Sequence, residues 1–241
     1  MITSHTNQTI KSLMKLKQAK YRRAMNAYLI EGYHLVQEAK KAGNIECIIA
    51  TQELDESVPV IVVSEAIMEK LSFTKTPQPI MAKCSMNCDM KIIDGNRYLL
   101  LDGLQDPGNI GTLIRSALAF GITQVILSHD CVDLYNDKLL RSMQGSHFHI
   151  SCIKGDLLDY IQMLKKQGVT IVGSALENGK EINQIEKYPK MAYIVGNEGN
   201  GIKPEVLSSC DEIAYIPISN IDSLNVAIAG SIMMYHFQSL R

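Results

Sequence analysis

Short apolar runs alternate with amphipathic stretches through residues 94–241 of this chain. Runs such as YLLLDG, QVILSH and MAYIVGN have the length and composition of buried strands. Between them, NIGTLIRSALAFG and DLLDYIQMLKKQG carry apolar residues at helical spacing and end at a glycine, which is typical of helices. This alternation predicts an α/β domain with a parallel sheet covered by helices on both faces.

Further elements continue this alternation. FHISCI, VTIVGSAL and EIAYIPI are predicted strands, and helices are predicted around DKLLRSMQ, KPEVLSSC and SLNVAIAGSIMMYHFQSL. Ser223 is the predicted N-cap of the last helix. One apolar face of that helix is predicted to carry Leu224, Ala227, Ile228, Ser231, Ile232 and Tyr235.

The first part of the chain predicts a second, smaller α/β unit. A basic helix over NQTIKSLMKLKQAKYRR is followed by the strand AYLIEG, the helix YHLVQEAKKAG, two β-rich runs and the short helix EAIMEKLS. The next stretch, FTKTPQPIMAKCSMNCDMKIIDGN, has weak periodicity and is rich in proline, threonine and asparagine. We therefore predict a domain boundary near residues 88–96, which separates residues 1–90 from residues 94–241.

Charge is distributed unevenly, although 24 basic residues nearly balance 25 acidic ones. In residues 1–41 the acidic residues are Glu31 and Glu38, and the basic ones are Lys11, Lys15, Lys17, Lys20, Arg22, Arg23, Lys40 and Lys41. Such a patch favours contact with nucleic acid, but a solvated helix face explains it equally well. The polar N-terminus lacks the apolar core of a signal peptide, and no apolar run is long enough to span a membrane. We expect a cytoplasmic protein that does not bind membranes.

The cysteines and histidines give little indication of a metal site. Six scattered cysteines form no CxxC pair, so buried thiols are expected, and the pair Cys84 and Cys88 has no evident further ligands. His147 and His149 fall on one face of a predicted strand and are interpreted as structural. We expect no metal.

The most informative loop is GNEGNG, which follows the predicted strand MAYIVGN. Its glycines at positions 196, 199 and 201 have the wrong order for a dinucleotide-binding loop, and no G-K-[ST] sequence follows as in a P-loop. Glu198 would also repel a phosphate at close range. Two interpretations stay open: a structural turn, or a loop whose backbone approaches a ligand that is not strongly anionic.

Two other loops also follow predicted strands. Asp106-Pro107-Gly108-Asn109 is a turn and cap sequence that begins a helix, and Arg115 lies further along that helix. Ser223 and Asn225 lie at the mouth of the last helix, near its free N–H groups. Ligands of parallel sheets bind at the carboxyl ends of strands, so the three loops mark a candidate site.

Taken together, NIGTLIRSALAFG, GNEGNG and IPI…SLNVAIA resemble, in order and separation, the three motifs of the SpoU (TrmH-like) RNA ribose 2′-O-methyltransferases of the SPOUT superfamily. The resemblance covers about residues 94–241. KYRRAMNAYLIEGYHLVQEA and TKTPQPIMA resemble the ribosomal-protein-like substrate-binding domain that often precedes such enzymes. The resemblance implies a deep trefoil knot, S-adenosylmethionine as cofactor, and a homodimer formed by the C-terminal domain.

The resemblance also assigns site residues. It places Arg115 in the catalytic role, supported by Asn109, Glu198, Ser223 and Asn225. Because a guanidinium is a poor base, we favour an electrostatic role for Arg115 over proton abstraction. The implied cofactor contacts are Gly196, Asn197, Gly201, Ile216, Ile218, Leu224 and Asn225, and the predicted RNA contacts are Lys11, Lys15, Arg22 and Arg23. Ser219-Asn220-Ile221-Asp222 stands where the family usually has a glycine in a slightly longer loop, and asparagine also tolerates left-handed backbone.

The expected reaction is therefore methyl transfer to a ribose 2′-hydroxyl of structured RNA. Ribosomal RNA is favoured over tRNA because of the N-terminal domain. A non-catalytic RNA-binding homologue is the alternative, and the joint presence of Arg115, Glu198, Ser223 and Asn225 argues against it. The glycine order argues against a dinucleotide-dependent oxidoreductase.

Overall fold

A computed structural model describes residues 1–86 and 89–238. Contacts divide the chain into two compact units, residues 1–88 with 135–148 and residues 89–134 with 149–241. The sequence assigned residues 135–148 to the second domain, whereas they pack within the first unit. The proposed domain limits of 1–90 and 94–241 otherwise stay a prediction.

The elements succeed one another in the order that the sequence alternation predicts, with additions. In chain order they are α1 (Gln8–Lys15), α2 (Ala19–Met25), β1 (Ala27–Glu31), α3 (Tyr33–Ala42), β2 (Ile45–Ala50), β3 (Val60–Val62), α4 (Glu65–Leu71), β4 (Ile80–Ser85), β5 (Arg97–Asp102), α5 (Pro107–Ala119), β6 (Gln124–Ser128), α6 (Asp137–Met143), β7 (Ser151–Gly155), α7 (Leu157–Lys166), β8 (Thr170–Ser174), β9 (Lys180–Glu181), β10 (Met191–Gly196), α8 (Pro204–Leu207), β11 (Glu212–Tyr215) and α9 (Val226–His236).

The first unit contains a four-stranded sheet in the order β1-β4-β2-β3. β4 pairs antiparallel with both β1 and β2 and occupies the interior of the sheet. The sequence missed this strand, because it directly follows a proline-rich loop and its six residues are too few for clear periodicity. Its residues Ile80, Met81 and Ala82 are buried, so tertiary pairing and burial outweigh the weak local signal.

The predicted basic helix over residues 7–23 is two helices, α1 and α2, which is a correction. Leu16 lies between them and is buried. Arg22 is also buried, and its guanidinium donates hydrogen bonds to the carbonyls of Leu16 and Lys17, both at 3.1 Å. Those carbonyls stand at the end of α1, so a side chain of α2 satisfies backbone groups that a continuous helix would have bonded itself.

The second unit contains a seven-stranded sheet in the order β7-β6-β5-β10-β8-β11-β9, with every pair parallel. β5, β6 and β10 are buried along their whole length, as near-continuous apolar strands between two helical layers should be. The predicted α/β fold with a parallel sheet is confirmed. The short strand β9 was not predicted.

The predicted strand FHISCI begins later than expected, at Ser151. His147 lies in a 3₁₀ turn over Ser146–Phe148, and its Nε2 is 3.1 Å from the hydroxyl of buried Tyr28. His149 precedes the strand, so the two histidines do not share a strand face. Among residues 1–86 and 89–238 no group of three or more potential metal ligands comes together. Cys88 lies outside these ranges.

No helix in the described part of the chain is both long enough and apolar enough to cross a membrane.

Candidate functional site

The glycine-rich loop after β10 is a tight turn closed by its own backbone. Asn197 N–H donates to Gly201 O and Gly201 N–H donates to Asn197 O, both at 2.9 Å. The Asn197 side-chain oxygen accepts hydrogen bonds from the N–H groups of Gly199 (3.0 Å) and Asn200 (3.2 Å). Gly201 has a φ of 69°, which favours glycine. The loop therefore has one defined conformation.

Gly196 is a position where the backbone has no room for a side chain. A Cβ added there would lie 2.1 Å from both Gly201 C and Ile202 N. These are backbone atoms, so a rotamer change cannot relieve the contact. The close return of the chain explains why the loop contains glycine at this point.

The turn is attached to the neighbouring strand β5. Asn197 Nδ2 donates to Gly103 O at 2.8 Å, just after β5 ends. Asp102, the last residue of β5, is buried and accepts a hydrogen bond from the Lys203 N–H at 2.8 Å. The Lys203 ammonium also lies 2.7 Å from Asp130 after β6. Both ends of the GNEGNG loop are thereby fixed to the carboxyl ends of adjacent strands.

Three side chains from the three sequence motifs form a linear hydrogen-bond chain. Asn109 Nδ2 donates to Glu198 Oε1 at 3.0 Å, and Asn225 Nδ2 donates to Asn109 Oδ1 at 3.0 Å. Asn109 is in the first turn of α5, which Asp106 caps by accepting from the Gly108 N–H. The cap of α5 thus helps to place the central residue of the chain.

Asn225, not Ser223, is the N-cap of α9, which corrects the sequence prediction. The side-chain oxygen of Asn225 accepts from the N–H groups of Ala227 (2.9 Å) and Ile228 (3.4 Å). Ser223 lies two residues too early to reach these donors. Its position is instead in the wall of the cavity described below.

The hydrogen bonds keep Glu198 ionised. Partial burial raises the pKa of Glu198, but hydrogen bonds from Asn109 and from the backbone N–H groups of Glu198, Gln105 and Asp106 lower it more. The resulting pKa lies below the ordinary value of about 4.5. Glu198 therefore carries a negative charge at neutral pH within the GNEGNG loop, and this charge disfavours a bound phosphate.

A cavity of about 480 Å³ opens at the carboxyl ends of β8, β10 and β11. Glu198 and Ser223 line it together with the predicted cofactor contacts, which are Gly196, Asn197, Gly201, Ile216, Ile218, Leu224 and Asn225. The structure thus brings these predicted residues into one pocket. Sequence reasoning missed further wall residues, including Ser174, Ala175, Leu176, Val195, Tyr215, Asp222 and Val226. The strand-end rule, applied to VTIVGSAL and EIAYIPI, points to Ser174 and Tyr215.

Loop 219–222, which has no glycine where the family usually has one, keeps the expected left-handed backbone conformation. Asn220 has a φ of 67°, so an asparagine occupies a left-handed position that usually favours glycine. Asp222 and Ser223, which follow it, line the cavity.

Arg115 lies outside the cavity wall, on the exposed side of α5. It makes no hydrogen bond or ion pair with any residue in the described ranges. Its guanidinium is therefore available to a ligand, and its helix is the one that places Asn109 in the hydrogen-bond chain.

Of the predicted RNA contacts, Lys11, Lys15 and Arg23 are exposed on α1 and α2. Lys15 and Lys20 place their ammonium groups 5.6 Å and 4.7 Å from the ring centre of Tyr21. Arg22 is the exception, because burial and its bonds to backbone carbonyls leave it unable to contact RNA. The prediction for Arg22 is therefore corrected to a structural role.

The predicted apolar face of α9 points mainly to solvent. The helix packs through Ala227, Gly230, Met233 and Met234, whereas Ile228, Ile232 and Tyr235 are 50%, 37% and 62% exposed. Tyr235 also contacts Phe120, which follows α5, with ring centres 5.8 Å apart. An exposed apolar surface thus lies along α9.

Comparison with known sequences relates both parts of the chain to described families. The sequence profile of the SpoU rRNA Methylase family matches residues 96–235, and that of the MRM3-like substrate binding domain matches residues 7–82. The chain is 40% identical over 245 aligned positions to the 23S rRNA (guanosine(2553)-2′-O)-methyltransferase RlmP of Bacillus subtilis (strain 168), covering 98% of each protein.

Solved structures give the same picture. An AdoMet-bound rRNA methyltransferase from Sinorhizobium meliloti superposes with a TM-score of 0.87 at 28% identity, over 98% of this chain and 96% of the other. An RNA methyltransferase of the TrmH family from Porphyromonas gingivalis, described as putative, gives a TM-score of 0.88 at 28% identity, over 99% and 98% of the two chains.

Proposed function

From the premise that this chain belongs to the SpoU rRNA methylase family, we infer that it transfers a methyl group from S-adenosylmethionine to a ribose 2′-hydroxyl of ribosomal RNA. The chain is an enzyme of the RNA 2′-O-methyltransferase class, as its full-length relative RlmP is named. The observation that carries this conclusion is the hydrogen-bonded chain Glu198–Asn109–Asn225 at the edge of the cavity. It unites residues from all three motifs.

The cavity fits the cofactor in size and chemistry. Its volume is in the usual range for small-molecule sites, and its wall combines apolar side chains such as Ile216, Ile218 and Leu224 with the GNEGNG loop. The anionic Glu198 is compatible with a cationic ligand that lacks phosphate. We propose that the residues around Gly196 hold the cofactor. When bound, S-adenosylmethionine supplies a methyl group activated by its sulfonium charge.

We propose that Arg115 is the catalytic residue and acts electrostatically. Its guanidinium would hold the phosphate next to the target ribose and stabilise negative charge that develops on the 2′-oxygen. Because the pKa of a guanidinium exceeds about 12, the proton leaves through another group or water. Asn109, Glu198 and Asn225 would fix the ends of α5 and α9 around the reacting hydroxyl, with Ser223 beside them.

The two matched regions suggest one task for each part of the chain. We propose that residues 1–90 bind the RNA and residues 94–241 bind the cofactor and carry out methyl transfer. Lys11, Lys15 and Arg23 are the proposed phosphate contacts on α1 and α2, with affinity that falls as salt rises. Ribosomal RNA is favoured over tRNA because RlmP acts on 23S rRNA and aligns along 98% of its length.

Substitution of Arg115 tests the assignment. We expect Arg115→Ala to lower kcat at least about 100-fold, while the S-adenosylmethionine Kd from calorimetry changes less than about threefold. The assay is transfer of labelled methyl to unmodified 23S rRNA transcript, with the modified ribose located by mass spectrometry. Lys166→Ala, an exposed cation on α7, is the control and should match wild type. Near-normal turnover by Arg115→Ala would refute the role.

We further propose that the protein is a homodimer formed by the α9 surface. Ile228, Ile232 and Tyr235 recur at helical spacing and are exposed, and contiguous apolar surface of this kind marks interfaces. Sedimentation velocity tests the proposal: Ile232→Asp should convert a dimer to a monomer, whereas Met163→Asp, at an exposed apolar residue of α7, should not. A monomeric wild-type protein at micromolar concentration would overturn it.

Two family properties are also proposals for this chain. The first is a deep trefoil knot in residues 94–241; it is supported by β10 lying between β5 and β8 while α9 packs on both α5 and β10. A crystal structure in which the backbone path of residues 94–241 contains no knot would contradict it. The second is a cytoplasmic location, which cell fractionation tests.

A further inference from the structure

A buried carboxylate holds the loop between α4 and β4 in a fixed conformation. Glu31, the last residue of β1, is 7% exposed and accepts four hydrogen bonds from that loop. The donors are Ser72 Oγ (2.7 Å), Phe73 N (2.9 Å), Thr74 Oγ1 (3.0 Å) and Gln78 N (3.1 Å). Burial raises the pKa of Glu31, but these bonds lower it below its usual value. The carboxylate is therefore ionised and fully engaged inside the loop.

Burial of the Glu31 carboxylate costs free energy. A buried charge loses its hydration, and four donors from one short segment are what offsets that loss. At the tip of the loop Lys75 and Thr76 are exposed, and the Thr76 carbonyl lies 2.8 Å from Thr74 Oγ1, which ties the tip to this network. The internal bonds therefore present Lys75 from a rigid base, which reduces the entropy lost when a ligand binds.

An exposed aromatic residue stands beside the loop. Gln78 packs against Gly32, with its Cγ 3.6 Å from where a Cβ of Gly32 would lie. The next residue, Tyr33, begins α3 and is 52% exposed. Gln78 belongs to the same loop as the exposed Lys75, so the loop carries a cation and contacts the residue before an exposed tyrosine. Proteins use an aromatic ring to stack one base and a cation to neutralise a phosphate.

Two further cations lie at the base of the loop. The Lys17 ammonium is 5.3 Å from the ring centre of Phe73 and donates to the carbonyl of Ser72 at 2.7 Å. Arg141 borders a small cavity together with Glu31 and Phe73, and it is paired with Asp137 at 3.0 Å. With Lys75 at the tip, three cationic side chains lie on or near the loop; Asp137 offsets the charge of Arg141, and the charge of Glu31 is enclosed by its donors.

We propose that the loop of residues 72–78 and Tyr33 form an RNA-binding surface, in which Lys75 contacts a phosphate, Tyr33 stacks an unpaired base, and Glu31 is the positioning residue. This inference rests on the proposed function, since it gives the RNA substrate a binding surface distinct from Lys11, Lys15 and Arg23. The favoured element is a single-stranded loop or bulge, because stacking on a side chain requires a base that is free of its own helix.

RNA binding by the full-length protein tests the proposal independently of methyl transfer. The probe is unmodified 23S rRNA transcript fragments, with the Kd measured by fluorescence anisotropy as a function of salt. We expect Lys75→Ala to weaken binding severalfold and to reduce the slope of log K against log salt by about one. Tyr33→Ala should weaken binding by about 5- to 150-fold, and Tyr33→Phe should retain most of the affinity. Lys166→Ala, an exposed lysine on α7 outside the basic patch of residues 1–41, is the control and should match wild type.

Glu31→Gln tests the positioning role. An amide accepts fewer hydrogen bonds than a carboxylate, so the loop should lose its fixed conformation and RNA binding should weaken severalfold. The S-adenosylmethionine Kd should change less than twofold, and Lys75→Ala should cost less in the Glu31→Gln background than in wild type. The exposed substitutions carry the test if Glu31→Gln lowers protein yield.

The results separate this inference from the proposed function. Lys75→Ala and Tyr33→Ala variants with the RNA Kd and salt slope of Lys166→Ala would overturn the RNA surface, even if methyl transfer to 23S rRNA proceeds. Absence of methyl transfer by wild type would overturn the proposed function, while the binding measurements would still decide whether residues 72–78 contact RNA.

Discussion

Replacement of Gly196 by alanine adds one methyl group at the point where the GNEGNG loop returns onto β10. The new carbon would lie 2.1 Å from Gly201 C and Ile202 N, against an ordinary contact distance of about 3.5 Å. The two backbone segments must therefore separate by about 1.4 Å. Both segments are backbone, so the displacement has to pass into the turn itself.

The energetic consequence follows from the bonds that the displacement breaks. Separation stretches the two hydrogen bonds between Asn197 and Gly201, each of which contributes about 1 kcal/mol. We expect the free energy of unfolding to fall by about 2–3 kcal/mol, the upper figure including strain that remains in the core. The same turn forms one wall of the cavity, so the S-adenosylmethionine Kd should rise at least tenfold, which corresponds to about 1.4 kcal/mol.

Gly199→Ala in the same loop is the matched control. A Cβ at Gly199 would meet only Asn197 Oδ1 at 3.6 Å, which is an ordinary contact. Urea unfolding gives the stability of each variant, and calorimetry with S-adenosylmethionine gives its affinity. The reasoning is refuted if Gly196→Ala binds the cofactor within threefold of wild type, or if Gly199→Ala loses as much affinity as Gly196→Ala.

Two further predictions concern single residues. Asn109→Ala should raise the pKa of Glu198 toward 4.5. Because the native pKa of Glu198 is depressed, its stabilisation is present above about pH 4.5 and is lost as pH falls through the native pKa. The stability difference between wild type and Asn109→Ala should therefore shrink from pH 7 to pH 3 in urea unfolding, and a difference that grows would contradict the assignment. Arg22→Ala should lower the free energy of unfolding by about 2–3 kcal/mol, because the carbonyls of Leu16 and Lys17 lose their donor. Arg23→Ala should change the free energy of unfolding by less than about 0.5 kcal/mol and should weaken RNA binding. Equal stability losses in the two variants would count against a buried structural role for Arg22.

Local pattern was enough for most of the α/β alternation. The strands β5, β6 and β10 are apolar along their length because both faces are covered, and such runs are recognisable without a partner. Errors arose where a distant contact outweighs local preference. β4 is an interior strand because β1 and β2 flank it, and the basic helix is broken where Arg22 satisfies carbonyls between its two parts.

The candidate site divides in the same way. The resemblance to the SpoU family pointed to Asn109, Glu198 and Asn225, and the structure adds that they are hydrogen-bonded in series. The sequence did not show that Asn225 caps α9 in place of Ser223, because the choice between two residues so close together depends on where the first helical turn forms. The strand-end rule covers Ser174 at the end of β8, but strand order is a property of long-range pairing, so only the fold shows that this end meets β10 and β11 at the cavity.

Sequence by itself determined the parallel α/β class, the family, and the residue types that chemistry at this site requires, because each is encoded in short stretches with their own periodicity or spacing. Tertiary structure decided which of those residues meet. Glu31 shows the difference: in the sequence it is one acid in a basic segment, and in the fold it is buried beneath a loop more than forty residues away, with a hydrogen bond to Phe73 and another to Gln78. Such partners are brought together only when the chain has folded, so no local pattern records them.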